Sequence, residues 1–292
     1  MDWHSRRVSA ILENALLEDK ATRDATTYAT IDPKMRAAAT ILAKQECIVA
    51  GVGAIARIIE IYERLDNAVI GHSEVISHPE IFDGVRVKAG QAIAVIRHNA
   101  RVILSCERVI LNVLQRMSGI ATLTRKFTDA VSGTHARILD TRKTVPGLRI
   151  LDKYAVRCGN GFNHRLDLSD GILIKNNHIS LGGGIRAVLE KAHHNRRGEQ
   201  PIEIEVRNLK ELDEALENGA EAILLDNMSP EICKQAVERV QKHNRRIPLE
   251  ASGGINLGNV RAYAETGIDY ISVGALTHSP EAVDLSMRIV AA

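Results

Sequence analysis

The feature that most constrains this chain begins near residue 133. From there, short apolar runs alternate with amphipathic helical stretches. The runs lie at 136–139, 171–174, 201–205, 222–225, 247–250 and 270–273, and helical patterns occupy 184–194, 209–218, 230–242 and 257–266. Parallel strands need a connection of a dozen or more residues, usually a helix. This spacing therefore predicts repeated strand-helix units and a parallel sheet. The helical patterns before Gly219 and Gly267 stop at a glycine, the residue that most readily closes a helix before a buried strand. An open doubly wound sheet and a (β/α) barrel both satisfy this pattern.

The polar residues that end each run favour the barrel, whose sites gather at the carboxyl ends of its strands. Leu139 is followed by Asp140-Thr141-Arg142-Lys143-Thr144, and Ile174 by Lys175-Asn176-Asn177-His178. The third run ends in Glu205, and Leu225 leads to Asp226-Asn227. Glu250 leads to Ala251-Ser252-Gly253-Gly254, and Val273 to Gly274-Ala275. One polar residue after a strand is ordinary; successive polar endings on apolar runs mark one lined cavity.

Residues 1–115 have a different texture. Apolar spacing predicts helices over 8–17 and 57–65. Alternation predicts antiparallel strands over 68–75 and 85–96, with a turn at Gly90. A longer amphipathic helix over 101–118 leads out of this region. The organisation expected is a domain over 1–115 and a barrel over 116–292, with a last helix returning to the first domain. A chain of 292 residues suffices for both.

The net charge of +2 is too mild for a nucleic-acid surface. No apolar run is long enough to span a bilayer. The N-terminal stretch lacks the apolar segment of a secretory signal. Cys47, Cys106, Cys158 and Cys233 are far apart and lack metal-ligand spacing, which fits a reducing, cytoplasmic setting.

The strand ends carry three chemistries. Arg142, Lys143, Arg165 and Lys175, with His164 beside Arg165, form a basic set. Arginine offers a planar fork for carboxylate or phosphate. Several such cations together require a multiply anionic ligand to offset their repulsion. Ser252-Gly253-Gly254 and Gly274, from the last two strands, let the backbone approach a phosphate. Glu205 and Asp226 are hard oxygen donors suited to Mg2+ shared with substrate phosphates. Lys175, directly after an apolar run, also suits Schiff-base chemistry, so an aldolase stays open on residue type alone.

Several segments resemble one family. They include the stretch from Glu107-Arg108-Val109 through Ser118-Gly119-Ile120, Asp140-Thr141-Arg142-Lys143-Thr144-Val145-Pro146-Gly147, and Lys153-Tyr154-Ala155-Val156-Arg157-Cys158-Gly159. Asn163-His164-Arg165, Lys175-Asn176-Asn177-His178, Leu224-Leu225-Asp226-Asn227 and Glu250-Ala251-Ser252-Gly253-Gly254 come after them in the same order. In sequence and spacing these resemble the quinolinate phosphoribosyltransferases over nearly the whole chain.

The resemblance implies an N-terminal α/β-sandwich domain and an incomplete (β/α) barrel of mostly parallel strands. It implies transfer of phosphoribosyl from phosphoribosyl pyrophosphate to quinolinate. Decarboxylation then gives nicotinate mononucleotide, pyrophosphate and CO2 in de novo NAD biosynthesis. It implies a homodimer, or a higher assembly of dimers, in which Arg108 reaches the partner's site. Arg142, Arg165, Lys175 and His164 would surround the two carboxylates, with Thr141 beside them and Lys143 near the donor. Glu205 and Asp226 would serve Mg2+ and the ribose, and Ser252, Gly253, Gly254 and Gly274 the phosphate. Lys143, Lys175, Glu205 and Asp226 would carry the chemistry. Three positions depart from the family pattern. Asn160 stands where the family often has glycine, Arg207 where an acidic or polar residue is usual, and a glycine is missing before Ala25.

Overall fold

The computed structural model describes residues 1–67, 74–77, 80–243 and 245–292, so most of the strand expected over 68–75 lies outside the described residues. The chain forms two compact units: Met1–Arg125 with Thr144–Asn160 and Ser279–Ala292, and Lys126–Lys143 with Gly161–His278.

The first unit opens with helices α1 (Arg6–Glu18) and α2 (Ala25–Thr30), the latter capped by Asp24, whose carboxylate accepts the Thr27 N–H at 3.0 Å. Strands β1 (Arg36–Ala43) and β2 (Cys47–Ile48), helix α3 (Val52–Asp66) and strands β3 (Glu74–Ser77), β4 (Arg86–Val87) and β5 (Ala92–Asn99) come next. Along β1 every second side chain is buried, from Ala37 through Ala39 and Ile41 to Ala43, as in a sheet with one packed face. Helix α4 (Ala100–Ala130) continues well past the expected end at 118. After β6 (Arg137–Leu139) the chain returns to the first unit for α5 (Arg149–Cys158). There Asp152, wholly buried, meets the Arg116 guanidinium through two bonds of 2.9 and 2.8 Å.

The second unit holds β6, β7 (Ile172–Ile174), β8 (Ile202–Val206), β9 (Ala222–Asp226), β10 (Leu249–Ser252) and β11 (Tyr270–Ser272). All six expected runs are strands. They are joined through α6 (Asn176–Gly182), α7 (Ile185–Asn195), α8 (Leu209–Glu217), α9 (Pro230–Gln241) and α10 (Val260–Ala264), and α11 (Ala275–His278) comes after β11. Gly219 and Gly267 take left-handed φ of +81° and +89° between helix and strand.

The strand order is β7-β8-β9-β10-β11-β6, with every pairing parallel. Neighbours in space are neighbours in sequence, and the last strand joins the first. A doubly wound sheet would instead reverse its winding midway. This is the incomplete barrel. The sheet ends at β6 and β7, and a single parallel bridge from Phe162 lies against the free edge of β6 at Leu139.

The last element corrects an expectation. It is a strand, β12 (Leu285–Ala291), not a helix, and it completes the first unit's antiparallel sheet in the order β12-β1-β5-β3. Ladder bonding to β1 outweighs the helix propensity of its Leu, Met and Ala residues. The expected boundary at 115 falls inside α4, and the division comes at Arg125. Among the described residues, no helix is long and apolar enough to cross a membrane.

Truncating one partner of a buried ion pair strands the other charge. Arg116→Ala should therefore lower the unfolding free energy by about 3 kcal/mol, read from urea denaturation.

Candidate active site

In the barrel strands, alternate residues face opposite ways. In β8, Ile202, Ile204 and Val206 are buried, while Glu203 and Glu205 line interior cavities. The same two-residue period brings Leu173 and Lys175, Leu224 and Asp226, and Glu250 and Ser252 to the interior. The strand ends enclose a cavity of about 490 Å3. Of the residues singled out in the sequence, Thr141, Arg142, Lys143, His164 and Arg165 line it. So do Lys175, Glu205, Asp226, Ser252, Gly253 and Gly254.

Asp140 organises one wall. It is wholly buried at the end of β6, and its backbone N–H donates to the Phe162 carbonyl at 3.1 Å. Its carboxylate accepts the Asn163 amide at 2.6 Å and the His164 N–H at 2.9 Å. The Arg165 N–H donates to His164 Nδ1 at 2.7 Å, so the imidazole proton sits on Nε2 and reaches Glu203 at 3.0 Å. Arg165 in turn donates to the Gly171 carbonyl at 3.1 Å.

The cations are charged in advance for an anion. Arg142 Nε is buried and has no hydrogen-bond partner. Burial, then the charge of Arg142, lowers the Arg165 pKa. A ligand carrying two negative charges relieves both the missing bond and the repulsion. Lys143 is exposed; its carbonyl accepts the Thr277 hydroxyl at 2.9 Å. A Cβ at Gly274 would lie 3.0 Å from the Lys143 side chain, so this glycine lets the lysine pass and does not itself line the cavity. Lys175 is also exposed at the rim.

The acids Glu205 and Asp226 line the same cavity as the cations. Burial, then the nearby Asp226 carboxylate, raises Glu205, and Lys175 partly offsets this. Glu205 accepts the Asn176 amide at 2.8 Å, and Asp226 that of Asn227 at 2.8 Å. Two repelling carboxylates with hard oxygens fit a divalent cation. At Gly253 (φ +97°) a side chain would be strained and would collide with the Asn227 amide.

Arg108 is exposed on α4, in the other unit, and does not line the cavity. Among the described residues, one group of three with metal-ligand spacing is His164, Glu203 and Glu250. The proton on His164 Nε2 makes that trio a hydrogen-bond network. Sequence reasoning passed over Glu203 and Glu250 as site residues. The available signal was a glutamate inside a parallel strand, where both faces are normally apolar. Two of the three departures from the family pattern are accommodated. Asn160 adopts φ +67°, a left-handed conformation that asparagine tolerates, and Arg207 pairs with Glu211 at 3.0 Å.

Comparison with known proteins agrees with this architecture. The family model described as quinolinate phosphoribosyl transferase, N-terminal domain, matches residues 24–118, and the C-terminal domain model matches 120–288. A probable nicotinate-nucleotide pyrophosphorylase [carboxylating] of Bacillus subtilis is 40% identical over 283 residues, covering 97% of this chain and 93% of that protein. The Mycobacterium leprae protein named nicotinate-nucleotide pyrophosphorylase [carboxylating] is 39% identical, covering 95% of each. The crystal structure of NadC from Streptococcus pyogenes superposes with a TM-score of 0.92 at 33% identity, covering 100% of this chain and 99% of that one.

Asp140→Asn would set an amide N–H2 against the donors that the carboxylate now accepts. It should cost about 1.5–3 kcal/mol of stability, measured by urea denaturation.

Proposed function

The chain belongs to the quinolinate phosphoribosyl transferase family, and we propose that its strand-end cavity joins quinolinate to the phosphoribosyl group of phosphoribosyl pyrophosphate. The observation that carries this is the paired Arg142 and Arg165, one with a buried donor left unmet and the other with its pKa lowered beside it. That arrangement asks for a dicarboxylate.

In this reading, Arg142, Arg165, Lys175 and His164 hold the two carboxylates and so orient the ring nitrogen. The nitrogen attacks the anomeric carbon as the bond to pyrophosphate breaks. Lys143 lies beside the donor, where its charge meets the charge developing on the departing group. Thr141 steadies the loop by accepting the Lys143 N–H at 3.0 Å. Ser252, Gly253 and Gly254 offer the phosphate an open backbone, with Gly274 making room for Lys143. Glu205 and Asp226 would hold Mg2+ and the ribose; when bound, the ion neutralises pyrophosphate charge. The nucleotide formed then loses the carboxylate next to the ring nitrogen, giving nicotinate mononucleotide and CO2. Positioning supplies much of the rate, since donor and acceptor must meet in line. Lys175 acts here as a charge, without covalent chemistry.

We also propose a homodimer in which Arg108 of a second copy completes the dicarboxylate pocket; its exposure and its place outside the cavity support this. The four cysteines are free and buried, which suits a reducing compartment such as the cytoplasm.

Purified protein given quinolinate, phosphoribosyl pyrophosphate and Mg2+ should release pyrophosphate and form nicotinate mononucleotide; no product overturns the reading. Arg142→Ala should lower kcat/KM roughly 10²-fold in the same assay, because a buried carboxylate would lose its charged partner. Arg108→Ala and Lys175→Ala, each weak alone, should regain activity when mixed and re-associated. If mixing restores nothing, Arg108 does not act across subunits.

A further inference from the structure

A second cavity, of about 450 Å3, opens among the first residues of the barrel strands, including Arg137, Ala222 and Tyr270. It shares His164, Arg165, Leu173 and Glu250 with the strand-end cavity, so these four residues form a common wall. Glu250 sits mid-barrel on β10 and is only 3% exposed. Its Oε1 is buried and has no hydrogen-bond partner, while its Oε2 lies 3.5 Å from His164 Nε2. The imidazole proton is already committed to the closer Glu203. Burial, then the Glu203 carboxylate, pushes Glu250 up to about 8, against the opposing pull of His164 and Ser272; Asp140 adds to the rise. Glu250 therefore keeps its proton at a pH where an ordinary glutamate has lost it.

The reaction has a step that needs such a group. When the carboxylate beside the ring nitrogen leaves as CO2, the electron pair of the broken C–C bond stays on the ring carbon. That carbon must take up a proton. The guanidinium groups of Arg142 and Arg165 do not release theirs.

We propose that Glu250 is the acid that protonates the ring carbon as CO2 departs, and that the second cavity is the route by which solvent restores its proton. The inference rests on the proposed binding of quinolinate in the strand-end cavity. The Glu250 O–H bond breaks, a C–H bond forms on the ring, and the carboxylate left behind takes one proton from water in the second cavity. No oxidant or reductant is involved. An uncharged acid suits this position, because an ionised one would repel the dicarboxylate.

A single-turnover experiment separates the two chemical steps. Wild-type protein and Glu250→Gln are each mixed with phosphoribosyl pyrophosphate, Mg2+ and quinolinate radiolabelled in its 2-carboxylate. Pyrophosphate and labelled CO2 are followed independently. The substitution exchanges one neutral group for another of the same shape, so the urea midpoint should match wild type. Pyrophosphate should appear at the wild-type rate, whereas CO2 release should slow about 10²-fold, the usual contribution of a general acid. The carboxylated mononucleotide should then accumulate. An equal fall in both rates, or unchanged CO2 release, overturns the proposal. A second measurement needs no variant: in D2O, wild-type CO2 release should slow while pyrophosphate release does not, and equal behaviour of the two overturns it as well. Absence of pyrophosphate from wild-type protein overturns the reading of the site itself, and the proposal with it.

Discussion

The carboxylate of Asp140 ties the end of β6 to the segment Phe162-Asn163-His164-Arg165, and the geometry of the cavity depends on that tie. β6 has a free edge, because it does not pair with β7. A barrel edge left open would expose unpaired backbone groups. Here Phe162 bridges to Leu139, and Asp140 holds the next two residues through their amide and backbone donors. The gap in the barrel is thus also what delivers His164 and Arg165 to the interior. Arg142 comes from the same strand end, two residues past the tie, and lines the same cavity as Arg165.

Like charges on both sides of the cavity are held closer than they would choose in water. Arg142 depresses Arg165, and Asp226 raises Glu205. Each repulsion costs the ligand-free protein something and is relieved by a group of opposite sign. The cations suit a dianion, and the acids suit a divalent cation with its phosphates. Because the strands fix these side chains before anything binds, little reorganisation is left for the reaction itself.

The parallel barrel was legible because its signals are local. Each apolar run, such as 222–225, ends in a residue whose character differs sharply from the run itself. The features that escaped the sequence reading depended on long-range pairing. β1 is alanine-rich and contains no strong strand signal, yet β5 and β12 on either side fix it as the centre of a sheet. In β12 the Leu, Met and Ala residues favour helix, and pairing with β1 makes it a strand. At the site, the residues after the strands were readable, since solvent-facing loops carry the polar groups. Glu203 and Glu250 carried only a weaker signal, a charged residue inside a parallel strand whose two faces are normally apolar. The barrel then shows that the face they occupy lines a cavity rather than meeting open water.

The pairing of β12 with β1 has a bearing on how the protein is made. Ala37 is opposite Ala291, and Ala43 is opposite Leu285, so the whole second unit is synthesised between the two halves of one ladder. On the ribosome, β1 must wait with one edge unfilled while the barrel strands emerge. Its packed face is built largely of alanine, which gives a waiting edge little stickiness towards other chains. The composition that hides this strand from a sequence reading is thus also suited to keeping a nascent sheet out of aggregates until its last strand arrives.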